Sequence, residues 1–281
     1  EHMADTASKY WLNSYVSSAE RDEGGVMPNE IDHEFKQAGV NFGLKMDTDL
    51  PIELVLNMEN SDLEVGANDH HTDSNSFLAG ALFPALASTG VGNLSAHTLF
   101  GYSKNDVTRK VYSNDVGRNG AYQIDSDYDA YYFLTGLQLT QLWSNDNTVI
   151  SHHYGLDINA QFIESYAEGS LVKWEERDFV QAQPYAGMNF QFSPKSSQLT
   201  YTGGARVTLT EVIGGQKQNY SILGTDVGIK DEDENDVYYE AKLGALYRVS
   251  KDSSLETYAQ ILRSDDDMET ISAGVTFNAQ F

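Results

Sequence analysis

Near the C-terminus, Ile271, Ala273, Val275, Phe277, Ala279 and Phe281 alternate strictly with Thr270, Ser272, Gly274, Thr276, Asn278 and Gln280. Successive side chains of a strand point to opposite faces. One face of this segment is therefore wholly apolar and the other polar or glycine. A period of two sustained this long is a strand, not a helix. The pattern recurs. Tyr154, Leu156, Ile158, Ala160 and Phe162 oppose His153, Gly155, Asp157, Asn159 and Gln161. Leu199 to Leu209, Val180 to Phe192 and Ala38 to Met46 repeat it.

Extended over the chain, the pattern predicts about twelve strands. They fall near 10–20, 35–48, 51–63, 75–87, 93–106, 127–144, 149–165, 179–193, 197–213, 236–249, 253–265 and 268–281. The fourth is the least regular, since both its faces are apolar. Odd-to-even links are long and polar (21–34, 64–74, 107–126, 166–178, 214–235), whereas even-to-odd links are short, as at Asp49-Leu50 and Ser250 to Asp252. Only Asp266-Asp267 breaks this rule. Outer-membrane barrels sort their connections in this way, with short periplasmic turns and longer extracellular loops. A soluble sandwich has no reason to.

The polar rows point the same way. They are rich in Gly, Asn, Gln and Thr, whereas soluble surface strands carry more Lys and Glu. An uncharged apolar band suits hydrocarbon, where a central charge costs about 2–4 kcal/mol. The expected architecture is all-β: one transmembrane antiparallel barrel over 10–281, apolar side chains toward lipid and polar ones toward a lumen. An even strand count places both termini in the periplasm. Residues 1–9, opening Glu1-His2-Met3, read as a vector remnant or as a linker in the periplasm or pore.

Composition narrows the function. Among 281 residues there is no cysteine, which excludes disulfides, thiol catalysis and Cys-based metal sites. A net charge of −24 argues against nucleic-acid binding, which uses basic patches. Apolar residues make up 40%, yet no long uncharged apolar run exists for a membrane-spanning helix. The 23 glycines and 17 tyrosines fit a barrel with aromatic girdles.

By strand phase, Lys45, Asp47, Glu53, Glu59, Asp157, Arg206, Glu240, Lys242, Arg248 and Glu256 fall on the polar face. They are expected to line a narrow wet pore or to pair across it. Other constellations read as bland. Ser95 with His97, and Ser151-His152-His153, lack a group to orient the base and an oxyanion hole. Adjacent histidines in Asp69-His70-His71-Thr72-Asp73 rarely converge on one ion, so no metal is expected. Lys230 to Asp236 is a solvated acidic stretch without the glycine and distal glutamate of an EF-hand loop. With no P-loop, dinucleotide fingerprint or nucleophile elbow, neither cofactor nor catalytic residue is expected.

The last third of the chain resembles the translocator domain of autotransporters, outer-membrane proteins whose C-terminal barrel secretes an N-terminal passenger. Tyr239-Glu240-Ala241-Lys242-Leu243-Gly244-Ala245-Leu246-Tyr247-Arg248-Val249-Ser250, Ser254-Leu255-Glu256-Thr257-Tyr258-Ala259 and Glu269 to Phe281 carry the likeness. Leu99-Phe100-Gly101-Tyr102-Ser103-Lys104-Asn105 is a weaker echo. In such proteins a helix threads the pore before the first strand; the stretch before Tyr10 is too short for one, and contains no Asn at which self-cleavage could be mapped. The resemblance implies passenger export and anchoring, no enzymatic activity and a type V secretion role. Its implied partners are outer-membrane lipid and lipopolysaccharide, the β-barrel assembly machinery and the chain's own upstream passenger segment. Phe277 and Phe281 would form the assembly signal. The alternative is a narrow porin-like diffusion channel for small polar solutes. A third reading, a lipid-modifying barrel hydrolase, would rest on Ser95 and His97.

Overall fold

The computed structural model describes residues 10–21, 33–46, 50–65, 70–113, 120–169, 172–215, 217–222, 225–230, 236–265 and 268–279. They form sixteen strands: β1 Tyr10–Arg21, β2 His33–Met46, β3 Ile52–Val65, β4 His70–Thr89, β5 Gly92–Ser113, β6 Gly120–Ser144, β7 Thr148–Ile163, β8 Tyr166–Glu168, β9 Val172–Trp174, β10 Arg177–Phe192, β11 Leu199–Gly214, β12 Lys217–Ile222, β13 Thr225–Lys230, β14 Asp236–Arg248, β15 Ser253–Ser264 and β16 Met268–Ala279. Twelve of them close into one antiparallel barrel, in the order β1-β16-β15-β14-β11-β10-β7-β6-β5-β4-β3-β2. The seam is made by β1 and β16, paired from Tyr10↔Ala279 to Arg21↔Met268. Closure leaves no barrel edge unpaired, which a lipid-exposed sheet requires.

Each of the twelve expected strands corresponds to a barrel strand, but two expectations about the connections are corrected. The long links 64–74 and 107–126 shrink to 66–69 and 114–119, because β4, β5 and β6 continue outward as paired strands. β5 runs 22 residues and β6 25. In these extensions a few apolar residues such as Val107 and Ile124 are scattered among polar ones, so no regular alternation announces them. The links 166–178 and 214–235 contain β8, β9, β12 and β13, which form a separate sheet in the order β13-β12-β9-β8. These strands are too short for periodicity to reveal. In β4, the pairing with β5 shifts between Phe83 and Ala87. Pro84 lies there, and a residue without an N–H sits most easily at such a bulge.

Burial is inverted. Leu243 is 66% exposed and Met58 64%, whereas Ser103 is fully buried and Asn13, Asn57, Asn105 and Thr210 are nearly so. Exposed apolar area costs about 25 cal/mol per Å² in water. A barrel that turns Leu12, Val16, Phe100, Leu137 and Ile271 outward is built for an apolar solvent.

The outer surface of β3, β4, β5 and β6 shows where that solvent ends. Cross-strand pairing stacks four rows: Leu56–Ala79–Phe100–Phe133, then Met58–Phe77–Tyr102–Tyr131, then Asn60–Asn75–Lys104–Asp129, then Asp62–Asp73–Asp106–Asp127. Hydrocarbon side chains thus give way to aromatic rings, then to amides, then to carboxylates. Tyr102 and Tyr131 lie 5.6 Å apart by ring centroid, and the Tyr102 hydroxyl donates to Asp129 at 2.9 Å. That is the girdle position, an apolar ring with its polar tip toward water.

Beyond this boundary, β8 packs against β6, and a compact core forms. Tyr128, Tyr166, Trp174 and Tyr220 form a chain of rings at 4.8, 6.0 and 4.9 Å. Arg109 donates to Glu168 at 2.9 Å, with Glu168 only 2% exposed. Burial, and then the Glu168 carboxylate, push the Tyr166 phenol well above its ordinary range. Val107 and Ala130 are buried beneath this extension.

Candidate functional site

The interior of the barrel carries the polar rows. Next-but-one strands lie about 9.6 Å apart, twice the strand spacing. A side chain can bridge that gap only by passing over a strand that lacks a Cβ. In one row, Tyr258–Gly274–Tyr15–Gly39–Glu59 crosses β15, β16, β1, β2 and β3. The Tyr15 hydroxyl passes over Gly39 to hydrogen bond with Glu59, and Trp11 passes over Gly43 to donate to Glu53. Tyr185 crosses Gly155 to donate to Gln138 Oε1 at 3.1 Å. His97 and Asp157 meet at 3.4 Å across Gly136.

A second belt is made of amides. Asn57 Nδ2 donates to Asn41 at 2.8 Å, Asn41 to Asn13 at 3.1 Å, and Asn13 to Thr276 at 2.7 Å. Asn57 Nδ2 also lies 3.2 Å from the Tyr15 hydroxyl. The belt therefore runs over β3, β2, β1 and β16 and ties the seam from inside.

Most of the charges placed on the polar face by sequence are found in contacts there. Arg206 pairs with Glu240 at 3.2 Å and lies 5.2 Å from the Tyr185 ring centroid. Lys45 Nζ is 4.0 Å from Glu53. Lys242 sits 4.0 Å over the Tyr258 ring, and Glu256 accepts from the Thr202 hydroxyl at 3.3 Å. Arg248 is exposed beside the short link 249–252. Asp47 and Phe281 lie outside the described residues, as do Asp69 and most of the 230–236 acidic stretch. Phe277 faces outward, 43% exposed, paired with Leu12 and Leu255.

The Ser95 and His97 side chains are not brought together as nucleophile and base. Ser95 donates to the Gln138 carbonyl at 3.3 Å, and His97 Nε2 turns to Asp157. Sequence reasoning singled out the charges and passed over neutral members, among them Trp11, Asn13, Tyr15 and Gln138; Tyr185 fell on the polar row, but its partner was not foreseen. The available signal was a glycine directly across the ladder from a large side chain, visible only once the register is known.

The lumen wall has two sides. Val55, Gly80, Leu99 and Leu134 form one row on β3 to β6, with Leu78 beside it. Across the barrel, β11, β14 and β15 present Arg206, Glu240, Lys242 and Glu256. A cavity of about 250 Å³ lies between Val55, Leu78 and Leu99 on one side and Tyr15, Asn41 and Glu59 on the other.

The glycine crossings make a prediction. A Cβ on Gly155 would lie 2.3 Å from Tyr185 Cζ. Gly155→Val should swing the Tyr185 ring off β7, break its bond to Gln138 and cost about 1–3 kcal/mol, the usual cost of overpacking. Urea unfolding in detergent micelles measures it. An unchanged midpoint would show that the crossing carries no stability.

No family model matches the sequence, and no curated protein matches it by sequence. Solved structures do match in fold. The translocator domain of the autotransporter NalP from Neisseria meningitidis superposes with a TM-score of 0.71 at 14% identity, covering 97% of this chain and 88% of that one. The β domain of the Bordetella autotransporter BrkA gives 0.64 at 11% identity, over 98% and 99%. The transport unit of the autotransporter AIDA-I from Escherichia coli gives 0.61 at 10%, over 100% and 93%. The fold is that of these barrels.

Proposed function

We propose that this barrel is an outer-membrane translocator, exporting and anchoring a passenger attached on the N-terminal side of β1. The observation that supports it most is the closed twelve-stranded, inside-out barrel that matches autotransporter translocator domains over nearly its whole length. The lumen supports the same reading. Its charges are largely paired or stacked, and its wall has an apolar and a charged side, a surface suited to a chain segment. The first strand begins and the last ends where Tyr10 pairs with Ala279, at the end of the barrel with the short links. In an outer membrane that end is periplasmic, so the passenger segment enters the lumen from below.

Assembly follows from the same geometry. β16 must find β1 to close the barrel; its outward row includes Phe277, and in sequence the alternation continues to Phe281. This row is read as the signal taken up by the β-barrel assembly machinery. No residue is assigned a catalytic role. Surrounding lipid and lipopolysaccharide are the remaining partners.

Display tests this reading. A small folded domain placed ahead of residue 4, behind a signal peptide and a linker long enough to cross the barrel, should appear outside the cell, accessible to protease and antibody. The isolated barrel in a planar bilayer should conduct weakly, and a linker peptide should block what remains. A large, steady, cation-selective current that the linker leaves unchanged, with no surface display, would make the protein a diffusion channel.

A further inference from the structure

On the membrane-facing side of the seam, the outer surface is concave. Val16, Ala38 and Ala273 form one cross-strand row, and Ile271, Ser18 and Lys36 the row above it. Small side chains on three adjacent strands leave a groove of about 590 Å³, apolar along its floor and bounded by Lys36, Asn60 and Asp62. Its volume falls within the roughly 300–1,000 Å³ of ordinary ligand sites. The floor belongs to the surface that faces hydrocarbon, so its natural occupant is a lipid chain.

The rim identifies the rest of that lipid. Asp62 pairs with Lys36 on one side and with Asp73 on the other. His71 Nε2 lies 3.6 Å from Asp62 Oδ2 and 3.1 Å from Asp73 Oδ2. The three ligand atoms fall within 4.8 Å of one another. The sequence motif at 69–73 did not suggest this, because Asp62 comes from the neighbouring strand. His70 and His71 also point to opposite faces of β4, so the two adjacent histidines do not share a site. Asp73 is followed in its row by Asp106 and Asp127. Like charges directly across a ladder repel, and Lys36, already 2.6 Å from Glu34, cannot neutralise them. A bare anionic headgroup would be repelled here. One bridged by a divalent cation would not, since Mg²⁺ and Ca²⁺ are commonly held by one or two carboxylates together with phosphate oxygens.

We propose that the seam groove and the Asp62–His71–Asp73 trio together bind one phosphorylated lipid of the surrounding leaflet. Its acyl chain lies on Val16, Ala38 and Ala273, and its phosphate is joined to the trio through a divalent cation beside Lys36. The site rests on the membrane reading of the barrel and adds to it a specific lipid contact at the strand pair that closes the structure.

The test uses the whole barrel, folded in detergent, with phosphorylated lipid A or enzymatically dephosphorylated lipid A, each in Mg²⁺ or EDTA. Native mass spectrometry reads the lipid retained. One phosphorylated lipid should be retained in Mg²⁺, about tenfold more weakly in EDTA and in the double variant Asp62→Asn/His71→Ala. Ala38→Phe should lower retention in both buffers by filling the groove. The distant Asp178→Asn, also outward-facing, should change nothing. Should Ala38→Phe prevent folding, the double variant still decides, because its side chains are solvent-accessible. Equal retention of dephosphorylated lipid, or indifference to both EDTA and the double variant, overturns the site. A barrel that inserts into vesicles and fails this assay sinks only the lipid site; one that does not insert at all sinks the membrane reading.

Discussion

Leu156→Arg and Leu243→Arg should each strip about 2–4 kcal/mol from the barrel in a bilayer if they lie near its midplane. Both side chains face outward, 45% and 66% exposed. Leu156 lies in β7 between Leu137 of β6 and Pro184 of β10, and Leu243 in β14 between Gly203 and Ala259. In water, exchanging an exposed leucine for arginine would be neutral or helpful, since surface substitutions rarely move stability by more than about 0.5 kcal/mol. The two environments therefore predict different outcomes for one substitution. Asp157→Asn and Arg206→Gln, on the inner rows, should leave stability nearly unchanged and alter conductance or passage instead. Reversible urea unfolding in lipid vesicles measures all four variants. Equal tolerance at both sets would show that the inside-out assignment is wrong.

A disulfide across the seam should produce the other large effect. Ser14 of β1 is directly paired with Val275 of β16. Opposed residues on an antiparallel pair have Cβ atoms about 4.5–5.5 Å apart, close to what a disulfide needs. Because residues 1–281 contain no cysteine, Ser14→Cys/Val275→Cys introduces a single possible bridge. It would close a loop containing nearly the whole chain, and on the chain-entropy model such a bridge adds roughly 5 kcal/mol. The oxidised protein should keep a faster electrophoretic mobility after boiling and lose it on reduction, while the unfolding midpoint rises sharply. Failure to oxidise in the folded barrel, with ready oxidation in the unfolded chain, would contradict closure between β1 and β16.

The seam also marks the division between what was legible in sequence and what was not. Most of the barrel strands were readable from side chains alternating with period two, because each has one face in an apolar solvent and one in a wet lumen; the fourth, apolar on both faces from Phe77 to Phe83, was the least regular. That solvent difference acts on every residue separately, so it is written locally in the chain. Lys45, Glu53, Asp157, Arg206, Glu240 and Lys242 could be assigned to the polar face for the same reason. Their partners could not. Glu240 meets Arg206, Asp157 meets His97 across Gly136, and Tyr185 reaches Gln138 across Gly155 only because of strand register. Register is a property of pairs of strands. The extensions of β4, β5 and β6 and the β13-β12-β9-β8 sheet escaped for a related reason. Above the aromatic row both faces meet water or one another, the solvent contrast vanishes, and pairing is decided by long-range contacts such as Arg109 with Glu168 and Tyr128 with Tyr166. By itself, then, the sequence determined that the chain is an inside-out barrel and which charged residues fall on the polar rows of its strands, since solvent contrast selects each side chain singly. Only the tertiary structure decided which of those residues touch, where the outer rows change from aromatic to acidic, and what packs above the barrel, since each depends on strands distant in sequence arriving side by side.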